Sequence, residues 1–360
     1  MLTSGKSNLT QFLIEERRRA PAATGELNAL ITDVSLACKA ISRRVAYGAL
    51  DQSAAMLPLP GSTAPGGERK AMADLCNGLF VRANEWGGHV AGMLSRRFDA
   101  PSALPREFPP GKYLLLFDAL DGSSNADANV VVGSIFSIAR AVRPGEDAHA
   151  EDFLQTGIRQ VCAGYAMYGA STMLVLTLGN GTHAFTLEPM LGEWVLSHPN
   201  LRIPARTQEF AIDASHHRLW EPAVKRYVDE CLAGAPGPRG IDFQMRWIAS
   251  LVAETHRILM RGGVFLCPDV RNGDDDDAES LHLLCEAQPI AFLVEQAGGR
   301  ASNGRERLMG LQPKTLREST GLVFGSSEEV ARIEGYHHEA SPYRHESPLF
   351  GPRGLFANGG

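Results

Sequence analysis

Two carboxylates in the run Phe117-Asp118-Ala119-Leu120-Asp121-Gly122-Ser123-Ser124-Asn125 stand three residues apart where an apolar stretch ends. Carboxylate oxygens are hard ligands that suit Mg²⁺. Gly122 permits a tight turn whose successive backbone N–H groups converge on one concavity, and such a nest takes up phosphate oxygens. The pattern points to metal-assisted phosphate chemistry at a strand end, where α/β proteins usually place ligands. An ordinary Asp-Gly turn is the plainer alternative. The trailing Ser123-Ser124-Asn125 and the apolar or aromatic residues 113–117 before the motif favour the chemical reading. No Walker loop, dinucleotide fingerprint or nucleophile-elbow serine competes with it.

The elements that must position this motif follow from periodicity. Residues 113–117 read as a buried strand that ends in the loop carrying both aspartates. Leu27, Leu30, Ile31, Val34, Cys38 and Ile41 fall at helical spacing. Thr24 and Gly25 precede them and Glu26 sits in the first turn, which predicts a capped amphipathic helix. A Pro/Gly-rich stretch, 57–69, separates it from a second helical pattern through Leu75, Leu79, Phe80 and Ala83. Residues 130–138 and 164–178 read as further strands, and 182–187 with 193–196 as a hairpin. Helices are expected near 222–231 and 247–260, a strand at 263–267, then an acidic loop and a helix over 289–297 ending at Gly298-Gly299. A composition shift near 200–206 divides the chain into an N-terminal α/β unit, 1–200, and a C-terminal α/β unit, 201–336. A Pro-, Gly- and His-rich tail, 337–360, is expected to be flexible.

Bulk properties narrow the partners. The 360 residues are 44% hydrophobic, enough for a large core. The formal net charge of -6 gives no general reason to bind nucleic acid or an anionic membrane. No apolar run approaches membrane-spanning length, and residues 1–11 lack the apolar core of a signal peptide, so a cytoplasmic location is expected. The six cysteines are scattered without a Cys-x-x-Cys, as thiols of a reducing compartment would be. The pairs His216-His217 and His337-His338 read as surface or tail residues rather than ligands.

Over residues 9–336 the chain resembles class I fructose-1,6-bisphosphatases, especially the bacterial branch. The likeness is carried by Ala23-Thr24-Gly25-Glu26-Leu27, Arg82-Ala83-Asn84-Glu85-Trp86-Gly87-Gly88, the Asp118 motif, Gly133-Ser134-Ile135-Phe136, Tyr168-Gly169-Ala170-Ser171-Thr172, Met245-Arg246-Trp247 and Glu286-Ala287-Gln288-Pro289. The resemblance implies an α/β fold, a layered α/β/α/β/α sandwich, and a homotetramer. It also implies hydrolysis of the 1-phosphate of fructose 1,6-bisphosphate, assisted by Mg²⁺ or Mn²⁺. By the same resemblance Asp118, Asp121, Glu286 and the carbonyl of Leu120 are metal ligands. Asp121, Gly122, Ser123 and Ser124 cradle the 1-phosphate, and Arg246 reaches into a neighbouring subunit to hold the 6-phosphate. Thr24, Glu26, Lys112, Tyr113 and Arg140 match the family's AMP pocket.

The departures fall on the same sites. Arg96 and Arg97 stand where the family has two glutamates that bind metal and activate water, so no catalytic residue is assigned there. An arginine neither ligates Mg²⁺ nor gives up its proton. Ala73 replaces an aspartate of the proton relay. Asp213 stands for a neutral asparagine of the sugar pocket, Cys267 for a tyrosine, Ser280 for a lysine or arginine and His282 for an arginine. The acidic run Asp274-Asp275-Asp276-Asp277 lies close by in sequence. The expectation is a family member with reduced or lost activity that binds fewer ions than the family norm, with Asp99 a nearby carboxylate to restore ligation. One alternative is a non-catalytic paralogue that binds AMP or joins an active subunit in a mixed oligomer. Another is a phosphatase for a smaller phosphate monoester.

Overall fold

Residues 7–19, 25–48, 67–102, 104–269 and 281–339 are described by a computed structural model. Strand alternation builds its layers. In β2 (Tyr113–Asp121), Leu115 and Phe117 enter one apolar core while Leu114 and Leu116 enter another. Successive side chains of a strand point to opposite faces, so a strand covered on both sides must be apolar throughout. Every residue of β2 is buried.

Seven strands form the first sheet in sequence order: β1 (Val90–Ser95), β2, β3 (Val132–Arg140), β4 (Gln160–Tyr168), β5 (Thr172–Thr177), β6 (Thr182–Glu188) and β7 (Glu193–Leu201). β1 and β2 are parallel and the remaining neighbours antiparallel. Residues 164–178 therefore hold parts of two strands, separated at Gly169-Ala170-Ser171. The second sheet contains β8 (Glu209–Ile212), β9 (Gln244–Met245), β10 (Val264–Cys267), β12 (Arg300–Ser302) and β14 (Leu322–Gly325), in the order β12-β14-β10-β8-β9. A short pair, β11 (Leu281–His282) with β13 (Ser319–Thr320), stands apart from both.

Three of the four apolar cores among the described residues lie between helical and sheet layers. Helices Leu9–Arg19, Gly25–Tyr47 and Gly67–Asn84 cover one face of the first sheet through residues such as Leu13, Val34 and Phe80. Helices Leu251–Arg261 and Gln288–Gln296 lie between the sheets, where Val252 and Leu293 share a core with Tyr165 of the first sheet and Phe265 of the second. Helices Pro222–Leu232 and Ser327–His338 close the far face through Tyr227 and Ile333. The result is an α/β fold of alternating helical and sheet layers.

Several boundaries differ from the sequence reading for local reasons. β2 runs on through both aspartates instead of stopping at Phe117. Helix Leu9–Arg19 follows a short polar start and was not expected; Leu9, Phe12 and Leu13 bury one face of it. The helix expected from 247 starts at Leu251, because Ala249 takes a positive φ of 57° and Ser250 caps the helix by accepting from Ala253 N–H. The last helix continues through His338, two residues into the expected tail, while 340–360 lie outside the described residues.

Candidate active site

Asp118 and Asp121 are an odd number of positions apart, so a regular strand would send them to opposite faces. The register prevents this. Asp118 pairs with Ile135 and Asp121 with Gly133, so three steps along β2 match two along β3. One extra residue is accommodated as a bulge, which re-aims side chains. Ser134 Oγ holds the bulge by donating to Ala119 O at 2.7 Å. One oxygen from each of Asp118, Asp121 and Glu286 can then lie within 4.8 Å of the other two.

Glu286 comes from a π-helical turn, Leu283–Ala287, an irregularity frequent at functional sites. Leu284 and Cys285 pack that turn against Leu114 and Leu116 of β2. Glu286 Oε2 accepts from the backbone N–H of His282 at 2.7 Å. The exposures of Asp118, Asp121 and Glu286 are 3%, 7% and 2%, so the cluster is taken almost wholly out of water.

Burial sets the electrostatics. Asp121 is pushed up to about 6, first by burial and then by the neighbouring Asp118. Ser250 Oγ and Val252 N–H both donate to Asp121 Oδ2 at 3.0 Å and oppose that rise. Burial also raises Glu286, while Arg96 pulls it back. Asp118 Oδ1 accepts from Leu120 N–H at 3.2 Å, but its Oδ2 is buried with no hydrogen-bond partner. A desolvated carboxylate oxygen without a donor is costly unless a cation meets it. The donor set thus fits a divalent ion.

The two arginines diverge. Ser95 of β1 pairs with Phe117, and Arg96 N–H donates to Phe117 O at 2.9 Å, which brings Arg96 alongside Asp118. Its Nε meets Glu286 Oε2 at 3.0 Å. Arg97 turns the other way, and its Nη2 donates to Asp74 Oδ1 at 2.6 Å. Ala73, one residue before Asp74, is buried and brings no proton-bearing group. Asp99 does not restore the missing ligation. Its side chain is 85% exposed and paired with Arg317, and it lies outside the cluster.

At the cluster's edge Gly122 has φ 70° and opens the short 3₁₀ turn Ser123–Asn125. Asn125 Nδ2 ties that turn to Ala249 O at 2.9 Å. Arg246 is exposed, donates to Gln244 Oε1 and stands 3.8 Å from Glu209 Oε1. Asp213 caps the 3₁₀ turn Ala214–Leu219, its Oδ1 accepting from Ser215 N–H at 2.9 Å. His282 is buried and pushed down to about 4, chiefly by burial. Cys267 ends β10. Ser280 and Asp274 to Asp277 lie outside the described residues.

Of the second predicted group, Tyr113 is buried in the core under the first sheet. Lys112 Nζ meets Glu26 Oε1 at 2.8 Å, and Tyr113 pairs with Arg140 across β2 and β3. Thr24 lies outside the described residues. Sequence reasoning missed Ser250 and Val252, which anchor Asp121. A serine immediately before the apolar run from Leu251 was the available signal.

The family model for the N-terminal domain of fructose-1,6-bisphosphatase matches residues 7–199, and that for the C-terminal domain matches 203–338. The chain belongs to the fructose-1,6-bisphosphatase family. A protein named fructose-1,6-bisphosphatase class 1 3, from Methylibium petroleiphilum, is 66% identical over 361 residues and is matched over 100% of both chains. The class 1 enzyme of Hydrogenophilus thermoluteolus is 55% identical over 348 residues, 97% of this chain and 96% of that one. Among solved structures, Leishmania major fructose-1,6-bisphosphatase in holo form superposes with a TM-score of 0.81 at 30% identity. That match covers 92% of this chain and 99% of the other. No helix among the described residues is long and apolar enough to cross a membrane.

Proposed function

We propose that this fructose-1,6-bisphosphatase family member hydrolyses the 1-phosphate of fructose 1,6-bisphosphate with help from a divalent ion, Mg²⁺ or Mn²⁺, and does so slowly. The observation that carries the reading is the buried cluster Asp118, Asp121 and Glu286, with an unpartnered Asp118 Oδ2 and a glycine-opened turn at its edge. An ion held there would draw charge from the phosphoryl oxygens. Ser123 and Ser124 would offer hydroxyls and N–H groups to the same phosphate, and Gly122 lets its backbone approach closely. Arg96 would add a fixed positive charge beside the group being transferred. No carboxylate takes a proton from water at position 73, 96 or 97, and a lost general base typically lowers turnover about 10²–10⁴-fold.

Arg246 fits a 6-phosphate partner for a neighbouring subunit, because its side chain is exposed and its planar guanidinium can pair phosphate oxygens bidentately. Glu26, Lys112, Tyr113 and Arg140 fit an AMP effector site, and a cytoplasmic tetramer fits the family. A second reading, a non-catalytic subunit, is favoured by the Arg96–Glu286 ion pair, which occupies a carboxylate of the site.

Phosphate release from fructose 1,6-bisphosphate across a Mg²⁺ and Mn²⁺ titration, beside the Hydrogenophilus enzyme, tests the choice. Slow metal-dependent release supports the phosphatase. Release without metal dependence, or none from folded protein, rejects it, and turnover matching the relative rejects the slow form.

A further inference from the structure

We infer that Arg96 is a resident cation of the carboxylate cluster and limits it to a single divalent ion, held by Asp118 and Asp121. This rests on the metal-dependent reading above and adds what this chain's own residues do to the metal count.

Three observations carry it. Arg96 Nε lies 3.0 Å from Glu286 Oε2, and that oxygen also accepts from His282 N–H at 2.7 Å. The guanidinium sets a full positive charge against that oxygen and opposes any metal there, whereas the groups that donate to Asp121 Oδ2, the Ser250 hydroxyl and the Val252 N–H, are neutral. Asp118 Oδ2, by contrast, is buried and has no donor, so a cation would meet the cluster on its Asp118 side. The charges agree. Three carboxylates and one guanidinium, all ionised, leave two negative charges, which one divalent ion neutralises. A second ion would stand beside a guanidinium that does not deprotonate and that, though its side chain is 44% exposed, sets its Nε against the buried carboxylate. Arg97 takes no part, since it is drawn off to Asp74.

The same arrangement makes the metal-free cluster tolerable. Arg96 already meets the most buried carboxylate, so folding need not await an ion. Replacing the guanidinium with a carboxylate would transfer that role to metal.

The test counts Mn²⁺ bound per chain by equilibrium dialysis and records its electron paramagnetic resonance spectrum, for the full chain and for Arg96→Glu, Arg96→Gln and Arg97→Gln. Circular dichroism checks that each variant folds. The natural chain and Arg97→Gln should bind one ion with the spectrum of isolated Mn²⁺. Arg96→Glu should bind two, with the spectrum of a spin-coupled pair. Arg96→Gln, a milder change should the glutamate variant not fold, should bind at least about tenfold more tightly than the natural chain. Two ions in the natural chain, or unchanged count and affinity in both Arg96 variants, would overturn the inference while leaving metal binding intact. No Mn²⁺ bound by any variant would remove the metal-dependent reading as well.

Discussion

Val252 donates its backbone N–H to Asp121 Oδ2 at 3.0 Å, joining residues 131 positions apart in the chain. Ser250 Oγ donates to the same oxygen and also caps the helix of which Val252 is the second residue. One side chain therefore serves a helix end and a buried carboxylate together. Ser250→Ala should lower stability by about 1 kcal/mol for the lost cap, with a further loss of similar size for the carboxylate left one donor short. Urea unfolding of the two proteins in parallel measures it. A change below about 0.5 kcal/mol would show that water replaces the hydroxyl.

Gly133 is required where that helix meets the first sheet. A Cβ there would stand 2.5 Å from Ala166 O and 2.7 Å from Val252 Cγ1, distances that backbone and packed side chain cannot relieve together. Gly133→Ala should cost about 1–3 kcal/mol through overpacking. Because Val252 would move, Mn²⁺ affinity should fall with it. Thermal unfolding alongside Mn²⁺ dialysis distinguishes this from a purely structural defect, which would leave affinity unchanged.

Metal uptake should release protons. Without metal Asp121 titrates near pH 6, and Glu286 is raised by burial against the pull of Arg96. A cation binds the ionised forms, so affinity should climb as pH rises through about 6 and level off above it. Calorimetry of Mn²⁺ binding in buffers of different ionisation enthalpy reads the proton count directly. Proton release near zero at pH 6 would mean that the cluster is already ionised.

His256 gives the opposite sign for folding. Its Nδ1 lies 2.9 Å from Tyr165 Oη, and burial, then His198, hold it down to about 4. The unfolded chain takes up this proton near pH 6.5 and the folded chain only near 4. Stability from this group is therefore complete above 6.5 and lost as pH falls toward 4. Between pH 7 and 5 the loss is on the order of 2 kcal/mol. Asp121 and Glu286, raised by burial, act in the reverse direction, so the comparison must be with His256→Phe, which should lose less stability over this range. Equal losses in the two proteins would contradict it.

What the sequence disclosed about the site was local. Asp118, Asp121, Gly122 and the serines announce themselves because their chemistry depends on neighbours in the chain. Their meeting depends on a bulge that exists only against β3, and alternation alone would have separated the two aspartates. Glu286 was legible only through family resemblance, since no local pattern marks a π-helical turn. The arginine pair shows the limit most plainly. Two identical residues in succession look equivalent in sequence, yet Arg96 turns to Glu286 and Arg97 to Asp74. That choice belongs to the turn that follows β1 and to Asp74 of the helix Gly67–Asn84 before it. The same limit misplaced Asp99, whose carboxylate is exposed and paired with Arg317.

Cys38, Cys76, Cys162, Cys231 and Cys285 are buried thiols, and burial pushes Cys38 and Cys231 up to about 12. A thiol so withheld from solvent and from ionisation reacts with an alkylating reagent only while the surrounding layers part. Cys38 belongs to the core under the first sheet and Cys231 to the core beyond the second, so the protein carries a chemical clock at each end of its stack. Mass spectrometry of alkylated peptides would show whether the layers open as one body, with both thiols keeping the same time, or whether one end breathes first.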